Sequence, residues 1–226
     1  MQPTSFVIAV FEFVLLIFSL SVHECAHAWM ASRLGDQTAR LQGRVTLNPI
    51  YHIDPFGTLL FPALMIFAPL FGGGALSGFL FGWAKPTPVI TRNFRKLVRD
   101  DTLTTLAGPA SNLLLALAAF ACLAILIKMQ GFLPSQDNVT TNVQAFGILC
   151  ELAINVNLAL FFFNLLPLPP LDGSRILRHF LPYNMLNAYD RMGIFSFVLM
   201  IFLGGPFVRF LMMPTLGLIH MALNSL

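Results

Sequence analysis

The chain has 226 residues, of which 57 % are hydrophobic and only 10 % charged, and its formal net charge is +3. Soluble domains carry about 25 % charged residues, so most of this surface must face something other than water. The composition therefore indicates an integral membrane protein of one domain over residues 1–226, and the small, scattered positive charge argues against a nucleic-acid partner. Three distant cysteines without a CxxC pair indicate neither a disulfide framework nor a thiolate metal site.

Three apolar runs are long enough to cross a membrane, since a helix needs about 20 such residues. The first covers residues 6–31. The second covers 109–127 and opens with Pro109, a residue well suited to a first helical position. The third covers 145–166 and ends at "PLPP", where successive prolines prevent further helix.

Two other apolar regions are interrupted. Residues 56–83 contain prolines and "GGG", which predicts a re-entrant hairpin or a pair of short helices. Residues 194–226 contain "GGP" and predict C-terminal helices whose number and path stay open. The stretches "RLQGRVTLNP" and "WAKPTPVITR" alternate enough to suggest a small β-hairpin at the membrane surface. The expected fold class is an all-α polytopic membrane protein with four to six transmembrane helices.

The pentapeptide His23-Glu24-Cys25-Ala26-His27 has the pattern HExxH and lies at the end of the first run. On a helix, positions i and i+4 project from one face, so both imidazoles can bind one zinc ion. The glutamate beside the first histidine then reaches the metal-bound water as a general base. Ionisable groups within a membrane are costly and favour a functional interpretation.

Two histidines leave zinc short of a ligand, because catalytic sites usually have three protein ligands. Asp172, in "NLLPLPPLDGSRIL", follows the third run at the corresponding depth. Its carboxylate either binds the metal or caps a short helix over residues 173–181, a common role for aspartate. The spacing alone does not separate these two roles.

Five motifs in order carry a resemblance to a known family: "HECAH", "NPIYHIDPFGTLLFP", "GWAKPTPV", "LAGPASN" and "NLLPLPPLDG". Together they resemble the site-2 protease family of intramembrane zinc metalloproteases, in a minimal form without a PDZ or CBS domain. The similarity runs from about residue 20 to residue 178, which is most of the chain.

The resemblance implies a role for each matching residue. His23, His27 and Asp172 would bind one catalytic zinc ion, and Glu24 would be the general base. Asn164, the asparagine of the N-x-x-P-x-P-x-x-D-G pattern, would bind substrate or stabilise the oxyanion.

Other polar residues have weaker interpretations. Asn112 of the "LAGPASN" motif is a candidate for substrate binding or for pinning two helices together. Asn157 is expected to pack between helices through a hydrogen bond, and Glu12 to lie near the outer interface or along a polar path. Interfacial positions are expected for the remaining histidines, His52, His179 and His220.

The chemistry constrains the topology. Because HExxH and Asp172 must meet at one depth, the first and third spans run parallel and the second runs antiparallel. By the positive-inside rule the side that carries most positive residues is cytoplasmic. These residues are Arg33, Arg40, Arg44, Lys85, Arg92, Arg95, Lys96, Arg99, Arg175, Arg178 and Arg191. The active site is thus expected towards the cytoplasmic side of a bacterial or archaeal plasma membrane.

The leading hypothesis is hydrolysis of peptide bonds in or near the transmembrane segments of single-pass membrane proteins, as in regulated intramembrane proteolysis. One alternative is a membrane transporter that binds metal in transit, which does not account for a glutamate next to the first histidine. Another is a membrane-anchored zinc protease that acts on soluble substrates.

Overall fold

The structure, a computed structural model, describes residues 3–72, 82–130, 137–200 and 204–225. No strand occurs in these ranges, and the all-α class is confirmed. The α-helices are α1 Pro3–Leu34, α2 Thr38–Leu41, α3 Phe61–Phe67, α4 Leu97–Gln130, α5 Asp137–Asn164, α6 Asp172–Arg178, α7 Tyr183–Arg191, α8 Gly193–Leu199 and α9 Gly205–Asn224.

Four helices of the described ranges are long and apolar enough to cross a membrane. They contain the segments Ser5–Leu34, Leu97–Met129, Asn142–Asn164 and Gly205–Asn224. The 32 residues of α1 extend about 48 Å, which exceeds the hydrocarbon thickness of about 30 Å. The "GGP" sequence marks the beginning of α9, with Pro206 in its first turn, so the described part of the C-terminal region supplies one helix of spanning length.

The second span begins earlier than its apolar run. α4 starts at Leu97, and Pro109 lies inside the helix rather than at its first position. Hydropathy marks the part of a helix that contacts hydrocarbon, whereas the first turns of α4 contain polar residues that the protein itself covers. Asp100 and Thr104 are both fully buried there.

The predicted hairpin at the membrane surface is not formed in the described residues. Residues 82–90 form neither a helix nor a strand. Pro86 and Pro88 lack the amide hydrogens that a ladder requires, which accounts for the error.

The interrupted segment after residue 55 is helical where it is described. A π-helix at Pro55–Leu60 leads into α3, and a 3₁₀-helix follows at Ala68–Phe71. Residues 73–81 of the predicted re-entrant region lie outside the described residues. The Trp83 N–H donates to the Gly57 carbonyl over 3.1 Å, so the chain has returned by residue 83 to the place where this segment began.

The three helices that carry the motifs pack against one another, with α1 contacting both α4 and α5. One buried apolar cluster joins α4, α5 and α9, and it includes Leu123, Leu158 and Met212. A second joins α1, α3 and α5 around Leu16 and Ile66. Because α1 and α5 run in the same direction, their C-terminal ends lie on one side of the bundle.

A buried carboxylate connects the end of α1 to the irregular segment that precedes α4. Asp36 is 0 % exposed, and it accepts hydrogen bonds from the Ile90 N–H over 2.7 Å and from Asn93 Nδ2 over 2.9 Å, besides two from Thr38. Burial alone would raise the pKa of Asp36, but these donors hold it below its ordinary value. The ionised side chain therefore fixes residues 90–93 against the end of α1.

Candidate metal centre

Three ligand atoms from two distant parts of the chain converge on one point. His23 Nε2 lies 3.0 Å from His27 Nε2 and 3.1 Å from Asp172 Oδ2, and His27 Nε2 lies 3.2 Å from the same oxygen. Ligand atoms of a tetrahedral zinc ion with bonds of about 2.0–2.1 Å are about 3.3 Å apart. The trio thus has the spacing that one zinc ion needs.

The other nitrogen of each imidazole is hydrogen-bonded away from this point. His27 Nδ1 lies 2.7 Å from the Thr104 carbonyl oxygen, which can only accept, so Nδ1 carries the hydrogen. In the neutral ring Nε2 then presents a lone pair towards His23 and Asp172. A carbonyl or amide partner of this kind is the usual support of a metal-binding histidine.

The tautomer of His23 is determined by two side-chain amides that are hydrogen-bonded in series. The Asn157 side-chain amide donates to the Ala153 carbonyl, and its oxygen accepts from Asn112 Nδ2 over 3.1 Å. The Asn112 oxygen consequently faces His23 Nδ1 at 2.6 Å and accepts its hydrogen. The two Nε2 atoms and Asp172 Oδ2 therefore face one another with their lone pairs and with no hydrogen between them. A cation stabilises such an arrangement.

Asn112 lies between three helices. It is 0 % exposed and lies behind His23, where it contacts the imidazole and joins α1 to α4 and α5. Of the two roles expected for Asn112, these contacts favour the pinning of helices over substrate binding. Asn157 packs between helices as expected.

Asp172 begins α6 rather than capping it. The N-cap is Leu171, and no side chain caps this helix. A Cβ atom on Gly173 would lie 2.2 Å from the Leu165 carbonyl oxygen, so only glycine lets the start of α6 approach the end of α5 this closely. The "LDG" sequence thus places the carboxylate beside the two imidazoles.

The far end of α6 is fixed to α4 by a buried carboxylate. Asp101 accepts from Arg175 Nη2 over 2.7 Å and lies 2.9 Å from His179 Nε2. His179 is therefore held by α4. His52, at 1 % exposure, is likewise covered by the protein. With Gly173 at one end and Asp101 at the other, α6 holds Asp172 in place.

A cavity of about 280 Å³ opens beside the trio. Glu24 lies in its wall next to the ligands, and its carboxylate accepts two hydrogen bonds from Thr87. Asn164 also lines the cavity, and its amide donates to the Leu160 carbonyl of its own helix over 2.9 Å. The cavity therefore offers room for a polypeptide segment next to a carboxylate, an amide and the metal ligands.

Three residues that support the site, Thr104, Gly108 and Thr87, were not predicted from the sequence. A Cβ atom at Gly108 would lie 2.3 Å from His27 Nε2, so the two histidines need glycine at this position. Thr104 contributes its backbone carbonyl, and Gly108 contributes the space left by its lack of a side chain. Neither contribution depends on a side chain, so neither is visible in a sequence motif of polar residues. For Gly108 the available signal was its place in the "LAGPASN" motif. For Thr87 the available signal was its place in the "GWAKPTPV" motif, but its contact with Glu24 depends on how the chain folds back.

Comparisons with known proteins agree with this geometry. Residues 11–204 match the model of Peptidase family M50. The chain is 41 % identical over 190 residues to YwhC of Bacillus subtilis, a protein named as a candidate zinc metalloprotease, and the match covers 84 % of this chain and 78 % of YwhC. No solved structure matches the chain.

More distant relatives are named Rip2 and are also described as candidate zinc metalloproteases. The protein from Mycolicibacterium smegmatis is 31 % identical over 174 residues, and the match covers 76 % of this chain and 58 % of the relative. That from Mycobacterium tuberculosis is 31 % identical over 157 residues, or 70 % of this chain and 52 % of the relative. The resemblance to the site-2 proteases and the assignment of zinc as the metal are confirmed. The chain belongs to Peptidase family M50.

Proposed function

We propose that this chain is an intramembrane zinc metalloprotease that hydrolyses peptide bonds in or near the transmembrane segments of membrane proteins. The observation that carries the proposal is the convergence of His23, His27 and Asp172 beside Glu24 within the helical bundle. His23 lies about 16 Å from the C-terminal end of α1, a helix about 48 Å long. That position supports a reaction inside the bilayer rather than in the water beyond it.

Each residue of the site has its own role in the proposed reaction. Zinc bound by His23, His27 and Asp172 would supply a Lewis acid that activates water and polarises a carbonyl group. Glu24 would accept the proton of the attacking water and deliver it to the leaving amine. Asn164, in the cavity wall, would hold the substrate carbonyl or stabilise the developing oxyanion.

The proposed substrates are single-pass membrane proteins. Their scissile carbonyls are hydrogen-bonded within a helix, so a substrate must unwind before cleavage. A cavity of about 280 Å³ is small, which supports binding of an unwound segment rather than a complete helix. Ala84, Pro86, Thr87 and Val89 line this cavity in a stretch that is neither helix nor strand, so its backbone is available for contact with such a segment.

The function is tested with the purified protein in lipid vesicles. One model substrate has a single transmembrane helix, and a matched soluble peptide carries the same residues around the cleavage site. We expect cleavage of the embedded substrate, loss of cleavage on chelation of zinc, and recovery when zinc is restored. Cleavage of the soluble peptide alone would indicate the membrane-anchored protease, and zinc flux without cleavage would indicate the transporter.

The orientation of the protein is a separate prediction. We expect the end of the bundle that holds the zinc site to face the cytoplasm, because eleven positive residues cluster on that side. A reporter fused after Arg92, in the connection that leads into α4, should therefore be cytoplasmic in intact cells. The matched fusion after Lys128, at the other end of α4, should be extracytoplasmic. The reverse pattern would contradict the proposed topology.

A further inference from the structure

The carboxylate of Glu24 is held by a residue outside its own helix. Glu24 Oε2 accepts a hydrogen bond from the Thr87 N–H over 2.9 Å and another from the Thr87 hydroxyl over 2.7 Å. The same hydroxyl lies 3.2 Å from the Glu24 carbonyl oxygen. Hydrogen bonds to a charged acceptor are about twice as strong as neutral ones, so these contacts restrict the rotation of the carboxylate.

The irregular segment that carries Thr87, residues 82–90, is itself fixed on both sides. Upstream, the Lys85 N–H donates to the His52 carbonyl over 2.8 Å. Downstream, the Ile90 N–H donates to Asp36 over 2.7 Å.

The prolines on either side of Thr87 restrict it further. Pro86 has a fixed φ, and Pro88 confines the preceding residue, Thr87, to extended conformations. The two donors of Thr87 are therefore presented to Glu24 by a rigid backbone.

Both donors use the same oxygen of the carboxylate. The contacts with Thr87 therefore leave Oε1 as the oxygen that Thr87 does not engage. A glutamate side chain that lacks such contacts samples several rotamers, and a base that is misplaced by about 1 Å can lose about 100-fold in rate. The arrangement thus prepares Glu24 for proton transfer before a substrate binds.

We propose that Thr87 is a positioning residue for the general base, and that its hydroxyl fixes Glu24 so that Oε1 accepts the proton. This inference rests on the proposed function, in which Glu24 is that base. The hydrogen bonds of Thr87 go to Glu24 and not to a metal ligand, so its removal should affect the rate of the chemical step and not the binding of zinc.

The test compares Thr87→Val with Thr87→Ser in vesicles that contain the embedded model substrate. Valine has nearly the shape of threonine and keeps the backbone N–H, but it lacks the hydroxyl. We expect Thr87→Val to lower kcat by about 10- to 100-fold, the range for loss of a hydrogen bond to a charged group. The KM and the zinc content should be unchanged, and Thr87→Ser should recover most of the kcat.

Two further variants make the result interpretable. Thr102→Val removes a hydroxyl that donates to the Val98 carbonyl on α4, and it should keep the wild-type kcat. Glu24→Gln is measured in parallel, because an active Glu24→Gln protein would overturn the proposed function itself.

Three results would overturn the inference while leaving that function intact, provided that Glu24→Gln is inactive. The first is a wild-type kcat for Thr87→Val. The second is a loss of zinc or a rise in KM that accounts for the whole defect. The third is a Thr87→Ser protein as slow as Thr87→Val, which would assign the effect to the methyl group rather than the hydroxyl.

Discussion

Replacement of Glu24 by glutamine is expected to abolish cleavage of a membrane-embedded substrate while leaving the zinc content unchanged. Glutamine has the size of glutamate, but its amide cannot accept the proton of the attacking water. General base catalysis contributes about 10²- to 10⁴-fold to the rate, so the cleavage rate should fall by at least about 100-fold. The three metal ligands do not include Glu24, and zinc should therefore still bind.

The measurement is the initial cleavage rate in vesicles, together with zinc per protein molecule by elemental analysis. Glu151→Gln is the matched control, because Glu151 is exposed and lies on α5 well before the end that approaches the zinc site. That variant should cleave at the wild-type rate. Cleavage by Glu24→Gln at the wild-type rate would remove Glu24 from the mechanism, and loss of its zinc would show that the carboxylate supports the metal site.

The local part of the metal centre could be predicted from the sequence because helix geometry determines it. His23 and His27 are one turn apart, and their Nε2 atoms lie 3.0 Å from each other in the structure. Asp172 is 149 residues from His23 along the chain, and spacing left its role open between ligand and helix cap. Its position depends on how α6 packs against the ends of α4 and α5, which only the family resemblance could anticipate.

The support behind the ligands could not be predicted in the same way. Asn112 was predicted to matter because it belongs to the "LAGPASN" motif, but its partner is set by the crossing of α1 and α4. Similarly, Pro109 was expected to begin a helix because the polar turns before it do not resemble a membrane span. In both cases the missing information is which face of α4 the protein covers.

A second large effect is expected from Gly108→Ala, which should abolish zinc binding and with it cleavage. A Cβ atom at position 108 would lie 2.3 Å from His27 Nε2 and 2.6 Å from His23 Nε2, well inside van der Waals contact. The His27 ring cannot move aside easily, because its Nδ1 is bonded to the Thr104 carbonyl on the same helix. The methyl group would have to displace the two imidazoles or push α4 away from α1.

The measurement for Gly108→Ala is the zinc affinity in competition with a chelator. Changes to residues that support metal ligands typically cost 10- to 100-fold in affinity, and direct displacement of two ligand atoms should cost at least about 100-fold. Gly147→Ala on α5 is the matched control, since its added Cβ would meet only Leu126 and Leu123 at 3.7 and 3.8 Å. It makes the same helix-favouring change within a membrane span, and it should retain zinc and activity. Wild-type zinc affinity in Gly108→Ala would contradict the close approach of α4 to both histidines, on which the geometry of the metal centre depends.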